Sequence, residues 1–141
     1  MRWLNLGNGE WGRRMQDDLT DAVEWAVQSG VVDKSRVAIY GRSYGGYAAF
    51  AGLAFTPDVY ACGVDVVGPS NIKTLLAATP PNWDHMRKVF AVRIGNVLED
   101  DAVNMRMSPL FHVDKVKRPL LIGQGANDPR VAQSESDQIA R

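Results

Sequence analysis

The run Gly41-Arg42-Ser43-Tyr44-Gly45-Gly46 constrains what this chain can fold into more than any other stretch of it. Before it, Arg36 to Tyr40 (Arg-Val-Ala-Ile-Tyr) reads as a short strand whose uninterrupted apolar centre suits burial on both faces of a parallel sheet. After it, residues 44–55 read as a helix kept slim by Ala48, Ala49, Ala51, Gly52 and Ala54, and Pro57 closes it. Strand, glycine turn and close-packing helix are parts of an α/β layer. The turn is sharp enough to hold Ser43 in a strained backbone with its hydroxyl clear of the sheet's carboxyl end. Side chains at 41 and 45 are expected to collide with neighbouring backbone. The plainer alternative is a Gly-rich turn in which Ser43 is only a helix N-cap.

The flanking sequence continues the alternation. Met15, Leu19, Ala22, Val23, Ala26 and Val27 form the stripe of an amphipathic helix over residues 15–29, with Asp17, Asp18 and Asp21 in its first turns and Gly30 as its stop. Tyr60 to Val67 reads as a second strand ended by Gly68-Pro69, residues 70–108 as helical and irregular, and Leu120 to Gly123 as a third strand. A final helix begins at Gln133 and runs toward Arg141. This is α/β, a partial doubly wound sheet over residues 1–141. Three strands leave bare edges, through which the chain is expected to self-associate, and make it read as part of a larger domain.

Composition excludes several classes. At 141 residues, 45% apolar and 23% charged, the chain fits a single globular domain. Sixteen basic residues balance sixteen acidic ones, without the basic excess of a nucleic-acid binder. No apolar stretch approaches the ~18 residues of a membrane span. The single cysteine, Cys62, lies in an apolar run and reads as a small core residue; thiolate metal sites and intrachain disulfides are excluded. No metal is expected. Met1 leads into Arg2-Trp3-Leu4-Asn5 rather than a signal-like apolar region, so the expected location is cytoplasmic.

Gly41-x-Ser43-x-Gly45 at a strand-to-helix turn matches the serine nucleophile of α/β hydrolases, whose partners follow in the order Ser, Asp or Glu, then His. Asp128, directly after the third strand, is the candidate acid; a turn aspartate before Pro129 is its plain reading. Asp65 is a rival acid placed mid-strand. The two histidines, His85 and His112, both precede Asp128 and are expected to be a surface residue and a structural residue. The backbone N–H of Tyr44, at the start of the helix, is the candidate oxyanion donor.

Longer motifs carry a specific resemblance. Gly-Asn-Gly-Glu-Trp-Gly (7–12), Met-Gln-Asp-Asp-Leu-Thr-Asp-Ala-Val (15–23), Gly-Arg-Ser-Tyr-Gly-Gly-Tyr-Ala (41–48), Cys-Gly-Val-Asp-Val-Val-Gly-Pro-Ser-Asn (62–71) and Pro-Leu-Leu-Ile-Gly-Gln-Gly-Ala-Asn-Asp-Pro-Arg-Val (119–131) resemble the prolyl oligopeptidase family, nearest its acylaminoacyl-peptidase and dipeptidyl-peptidase-like members. The resemblance implies a partial α/β-hydrolase fold and a serine peptidase acting on peptides through an acyl-enzyme, without a cofactor. It implies Ser43 as nucleophile and Asp128 as triad acid. A substrate pocket would be walled by Tyr44, by the segment 69–76 with Ser70, and by Trp83. It also implies that early strands and the histidine-bearing segment lie outside residues 1–141, so the isolated chain is expected to be inactive. A carboxylesterase on the same scaffold and a non-catalytic interaction protein are the alternatives. Gly7-x-Gly9-x-x-Gly12 also matches a dinucleotide fingerprint, but Glu10, Asp17 and Asp18 put negative charge where a pyrophosphate would sit.

Overall fold

The computed structural model describes residues 2–80 and 83–140. Its centre is a parallel sheet of β1 (Ala38–Arg42), β2 (Cys62–Val66) and β3 (Leu120–Gly123), in that spatial order. Ala38 pairs with Cys62 and Arg42 with Val66; Gly63 pairs with Leu120 and Val66 with Gly123. All three strands therefore end level along one edge, where parallel sheets place their chemistry.

Helix α3 (Tyr44–Phe55) returns the chain from the end of β1 across one sheet face. It is apolar all round, and every residue from Gly46 to Ala54 is buried, as expected of a helix enclosed on all sides. Toward the sheet, Ala49 and Leu53 pack with Ile39 and Tyr60. Away from it, Tyr47 and Ala51 pack with Ile72, Leu76, Ile94, Val97 and Met107. Those residues come from α4 (Ile72–Ala77), α6 (Asp101–Met107) and the turn after α5 (Asp84–Arg93). Leu53 is 1% exposed, and trimming it to alanine would cost about 2–5 kcal/mol. Helix α1 (Arg2–Leu6) precedes α2 (Arg14–Gln28), which lies beside α3 with Gln16 Nε2 donating to the Ala48 carbonyl at 3.3 Å. Helix α7 (Gln133–Ile139) ends the described chain, leaving Arg141 of the expected last helix outside it.

The other sheet face corrects an expectation. β1 alternates between exposed and buried residues and is not buried on both sides. Tyr40 is 72% and Leu121 66% exposed, flanking Val64 in register, and no described helix covers them. The apolar residues of this face are present; their cover is not among the described residues.

Candidate active site

The turn between β1 and α3 keeps Ser43 tied to the sheet while its backbone leaves it. Ser43 N–H donates to the Val66 carbonyl at 2.9 Å, and its own carbonyl accepts from Tyr47 N–H at 3.0 Å, opening the helix. Between these bonds Ser43 holds φ 56° and ψ −116°, a left-handed conformation that costs a non-glycine residue about 1–3 kcal/mol. Its hydroxyl makes no capping hydrogen bond, so the plain N-cap reading does not account for it. Tyr44 N–H, at the positive end of α3, donates no hydrogen bond among the described residues.

The glycines act differently from expectation. A Cβ at Gly41 would lie 2.1 Å from the Gly45 carbonyl oxygen, so that position tolerates no side chain. A Cβ at Gly45 would meet nothing within 4 Å; the collision expected there occurs instead at Gly46, 2.0 Å from Asp65 Oδ1 and 2.7 Å from Gly68 Cα. Helix α3 thus rests on the end of β2 backbone against backbone.

Asp65 lies in that seam, fully buried, and does not reach the open edge. Its Oδ1 accepts from Gly68 N–H at 2.7 Å, while Oδ2 has no partner among the described residues. Burial pushes its carboxyl up to about 6, against the lowering effect of the Gly68 bond.

Asp128 stands on the loop after β3, at the same edge as Ser43, with β2 and so a gap one strand wide between their two strands. Its Oδ1 accepts from Arg130 N–H and Val131 N–H, each at 2.8 Å. These two backbone bonds, with the charges of Arg130 and Arg42 adding to them, hold its carboxyl below the ordinary aspartate range. Neither histidine fills the gap. His112 Nε2 lies 3.0 Å from the Met105 carbonyl and its ring packs edge-on against Phe55 at 5.1 Å. Phe55 is the far end of a twelve-residue helix, about 17 Å from Ser43. His85 is exposed on α5 and does not line the cavity at Ser43.

That cavity, about 230 Å³, opens on Ser43 and is walled by Trp11, Tyr44, Pro69, Trp83 and Val131. Trp11 packs edge-on to Tyr44 with ring centres 4.7 Å apart, and Arg130 lies over the Trp83 ring at 5.0 Å. Burial, with the charge of Asp18 adding to it, pushes the Tyr44 phenol up to about 12, so the ring serves as an apolar wall. Tyr44 and Trp83 are among the residues that line this cavity. Ser70 is not: it is fully buried, with its hydroxyl donating to the Glu135 carbonyl at 2.6 Å, and does not line the cavity. Trp11, Phe90 and Val131 line it and were not singled out in the sequence, although Trp11 and Val131 fall within motifs that were. The glycine run 7–12 follows helix α1 rather than a strand, which removes the setting a dinucleotide fingerprint needs.

A parallel sheet that delivers a serine on a strained turn and an aspartate two strands away has the arrangement of an α/β hydrolase. The match to the prolyl oligopeptidase family covers residues 1–141, and the chain belongs to that family. It is 56% identical over 141 residues to the dipeptidyl aminopeptidase BIII of Pseudoxanthomonas mexicana, covering 99% of this chain and 20% of that protein. It is 51% identical to the dipeptidyl peptidase family member 6 of Caenorhabditis elegans, covering 98% and 19%. The solved structure of a puromycin-hydrolyzing peptidase from Mycobacterium tuberculosis matches with a TM-score of 0.88 at 29% identity, over 96% of this chain and 20% of that one. The chain thus spans about a fifth of the length of these relatives. Among the described residues no helix is long and apolar enough to cross a membrane.

Proposed function

We propose that this chain contributes the nucleophile and the acid of a serine peptidase that acts on peptides, in the manner of the relatives named dipeptidyl aminopeptidase and dipeptidyl peptidase. The observation that carries this reading is Ser43: strained, tied by its backbone, with an uncapped hydroxyl opening on an apolar cavity. Ser43 Oγ attacks the scissile carbonyl and its proton passes to an imidazole. The oxyanion accepts from Tyr44 N–H. Collapse expels the amine, which takes the proton back, and water releases the acyl group by the same route. Asp128 orients the imidazole and favours its charged form, which a carboxylate held low can do throughout the neutral range. Since His85 and His112 are placed elsewhere, the base is a histidine outside residues 1–141. The aromatic walls favour an apolar side chain on the acyl residue.

A chimera in which residues 1–141 replace the matching fifth of the Pseudoxanthomonas relative tests this. It is expected to hydrolyse dipeptide anilides and to be labelled by a fluorophosphonate on Ser43, and Ser43→Ala is expected to abolish both. A label found by mass spectrometry on another residue of 1–141 would overturn the assignment.

A further inference from the structure

The cavity at Ser43 has two walls that are far apart in the chain. One is the segment from Pro69 through α4 to Thr79; the other is the Asp128 loop, which contributes Arg130 and Val131. Two consecutive buried residues of α7, Glu135 and Ser136, hold one wall each.

Glu135 is 1% exposed. Its Oε2 accepts from Ser70 N–H at 3.0 Å, Asn71 N–H at 2.9 Å and Gln138 Nε2 at 2.9 Å, and its Oε1 accepts from the Thr74 hydroxyl. Its carbonyl accepts from the Ser70 hydroxyl. The carboxylate forms no salt bridge among the described residues; its partners are backbone N–H groups, the Ser70 and Thr74 hydroxyls and an amide. The next N–H groups of α4 are held by other side chains, Ile72 by Ser108 Oγ at 2.9 Å and Lys73 by Asn104 Oδ1 at 2.9 Å. The entry of α4 is therefore suspended from α6, the turn after it, and α7.

Ser136 acts on the other wall. Its hydroxyl donates to Gln124 Oε1 at 2.9 Å, and Gln124 Nε2 donates to the Gly125 and Val131 carbonyls, each at 3.1 Å. This closes the loop that carries Asp128. A single turn of α7 so fixes both walls. Removing the Glu135 carboxylate takes away the ties of α7's side chain to Ser70, Asn71 and Thr74 and leaves the Asp128 loop tied.

We propose that Glu135 is a positioning residue for substrate selection: its buried carboxylate sets the distance between the cavity's two walls, and with it the acyl side chain that Ser43 accepts. The proposal rests on the reading of Ser43 as nucleophile given above, and Ser43→Ala in the same chimera tests that reading separately. Glu135 touches no substrate, so its loss acts on fit more than on chemistry. With anilides carrying phenylalanine or alanine at the acyl position, Glu135→Ala is expected to raise KM for the phenylalanine substrate about tenfold while changing KM for alanine and both kcat values by about twofold or less. Labelling of Ser43 by a small fluorophosphonate should persist. Glu135→Gln keeps one acceptor for the Ser70 and Asn71 N–H groups and offers its amide to the Thr74 hydroxyl, so it should restore the phenylalanine KM. Should Glu135→Ala not fold, Thr74→Val carries the test, because it removes the hydroxyl that donates to Oε1 of the same carboxylate. A raised phenylalanine KM with unchanged kcat upholds the proposal. Equal losses for both substrates, an unchanged KM in the folded variants, or a failure of Gln to restore selectivity overturns it.

Discussion

Asp65 and Asp128 both follow the sheet toward its carboxyl edge, yet their surroundings push them in opposite directions. Asp65 faces helix α3 from inside β2, with one oxygen on Gly68 N–H and the other without a partner among the described residues, and burial raises its carboxyl to about 6. Asp128 stands past the end of β3, half-buried, with two backbone N–H groups and two nearby guanidinium groups holding it low. The same residue type thus sits in two opposite electrostatic settings. A carboxyl that resists ionisation and is sealed under a helix braces a seam; one that stays charged at an open edge can steady an imidazolium. The strand position of each aspartate, inside or just past the end, decides which.

Kinetics should separate them most sharply. In the chimera, Asp128→Asn should lower kcat by about 10⁴-fold, as expected when the group orienting the base loses its charge. Asp65→Asn should leave kcat within about threefold, since that side chain is buried under α3 and does not line Ser43's cavity. The reverse pattern in steady-state assays would exchange their roles.

Stability should sharpen the contrast next. The folded value of Asp65 lies above the 3.8 of an ordinary aspartate. Its contribution is therefore fully present below pH 3.8 and is lost as pH rises through about 6. An asparagine side chain in its place keeps an acceptor for Gly68 N–H without the buried charge. Asp65→Asn should therefore gain on the parent across that window, reaching on the order of 3 kcal/mol at pH 8. Asp128 has the opposite sign: its contribution is present above the unfolded value and is lost as pH falls through the lower folded one. Thermal melts of both variants from pH 2 to 8 check the crossing. The smallest expected effect is steric. Gly46→Ala forces a methyl against Asp65 Oδ1 and should cost about 1–3 kcal/mol; pairing it with Asp65→Ala should return only part, because Gly68 backbone also stands in the way.

Elements bounded by local punctuation were legible in the sequence. The bounds Tyr44–Phe55 and Leu120–Gly123 agree with expectation because glycine turns and Pro57 or Pro119 punctuate them. β1 begins two residues later than expected, since Asp33 Oδ1 accepts from Ser35 N–H at 2.8 Å and caps a 3₁₀ turn over Lys34–Arg36. Non-local facts were not legible. Ser70 follows Gly68-Pro69 like a loop residue facing solvent, but its partner Glu135 lies 65 residues away. The close approach of Gly46 to Asp65 is likewise a property of α3 lying on β2, and the Gly-x-Ser-x-Gly spacing pointed one residue too early. Alternation along β1 shows that two faces exist and carries no information about what covers each.

Helix α3, enclosed from Gly46 to Ala54, also decides how the site comes apart. Amides at the centre of such an element exchange with solvent only when the whole core opens, whereas a surface loop such as 125–130 opens on its own at far lower free energy. Ser43 is therefore expected to be rooted in the slower-opening part and Asp128 in a faster one. Under mild heat or denaturant the acid should depart first while the nucleophile keeps its strained backbone, an order that amide exchange of residues 46–54 against 125–131 would show or refute.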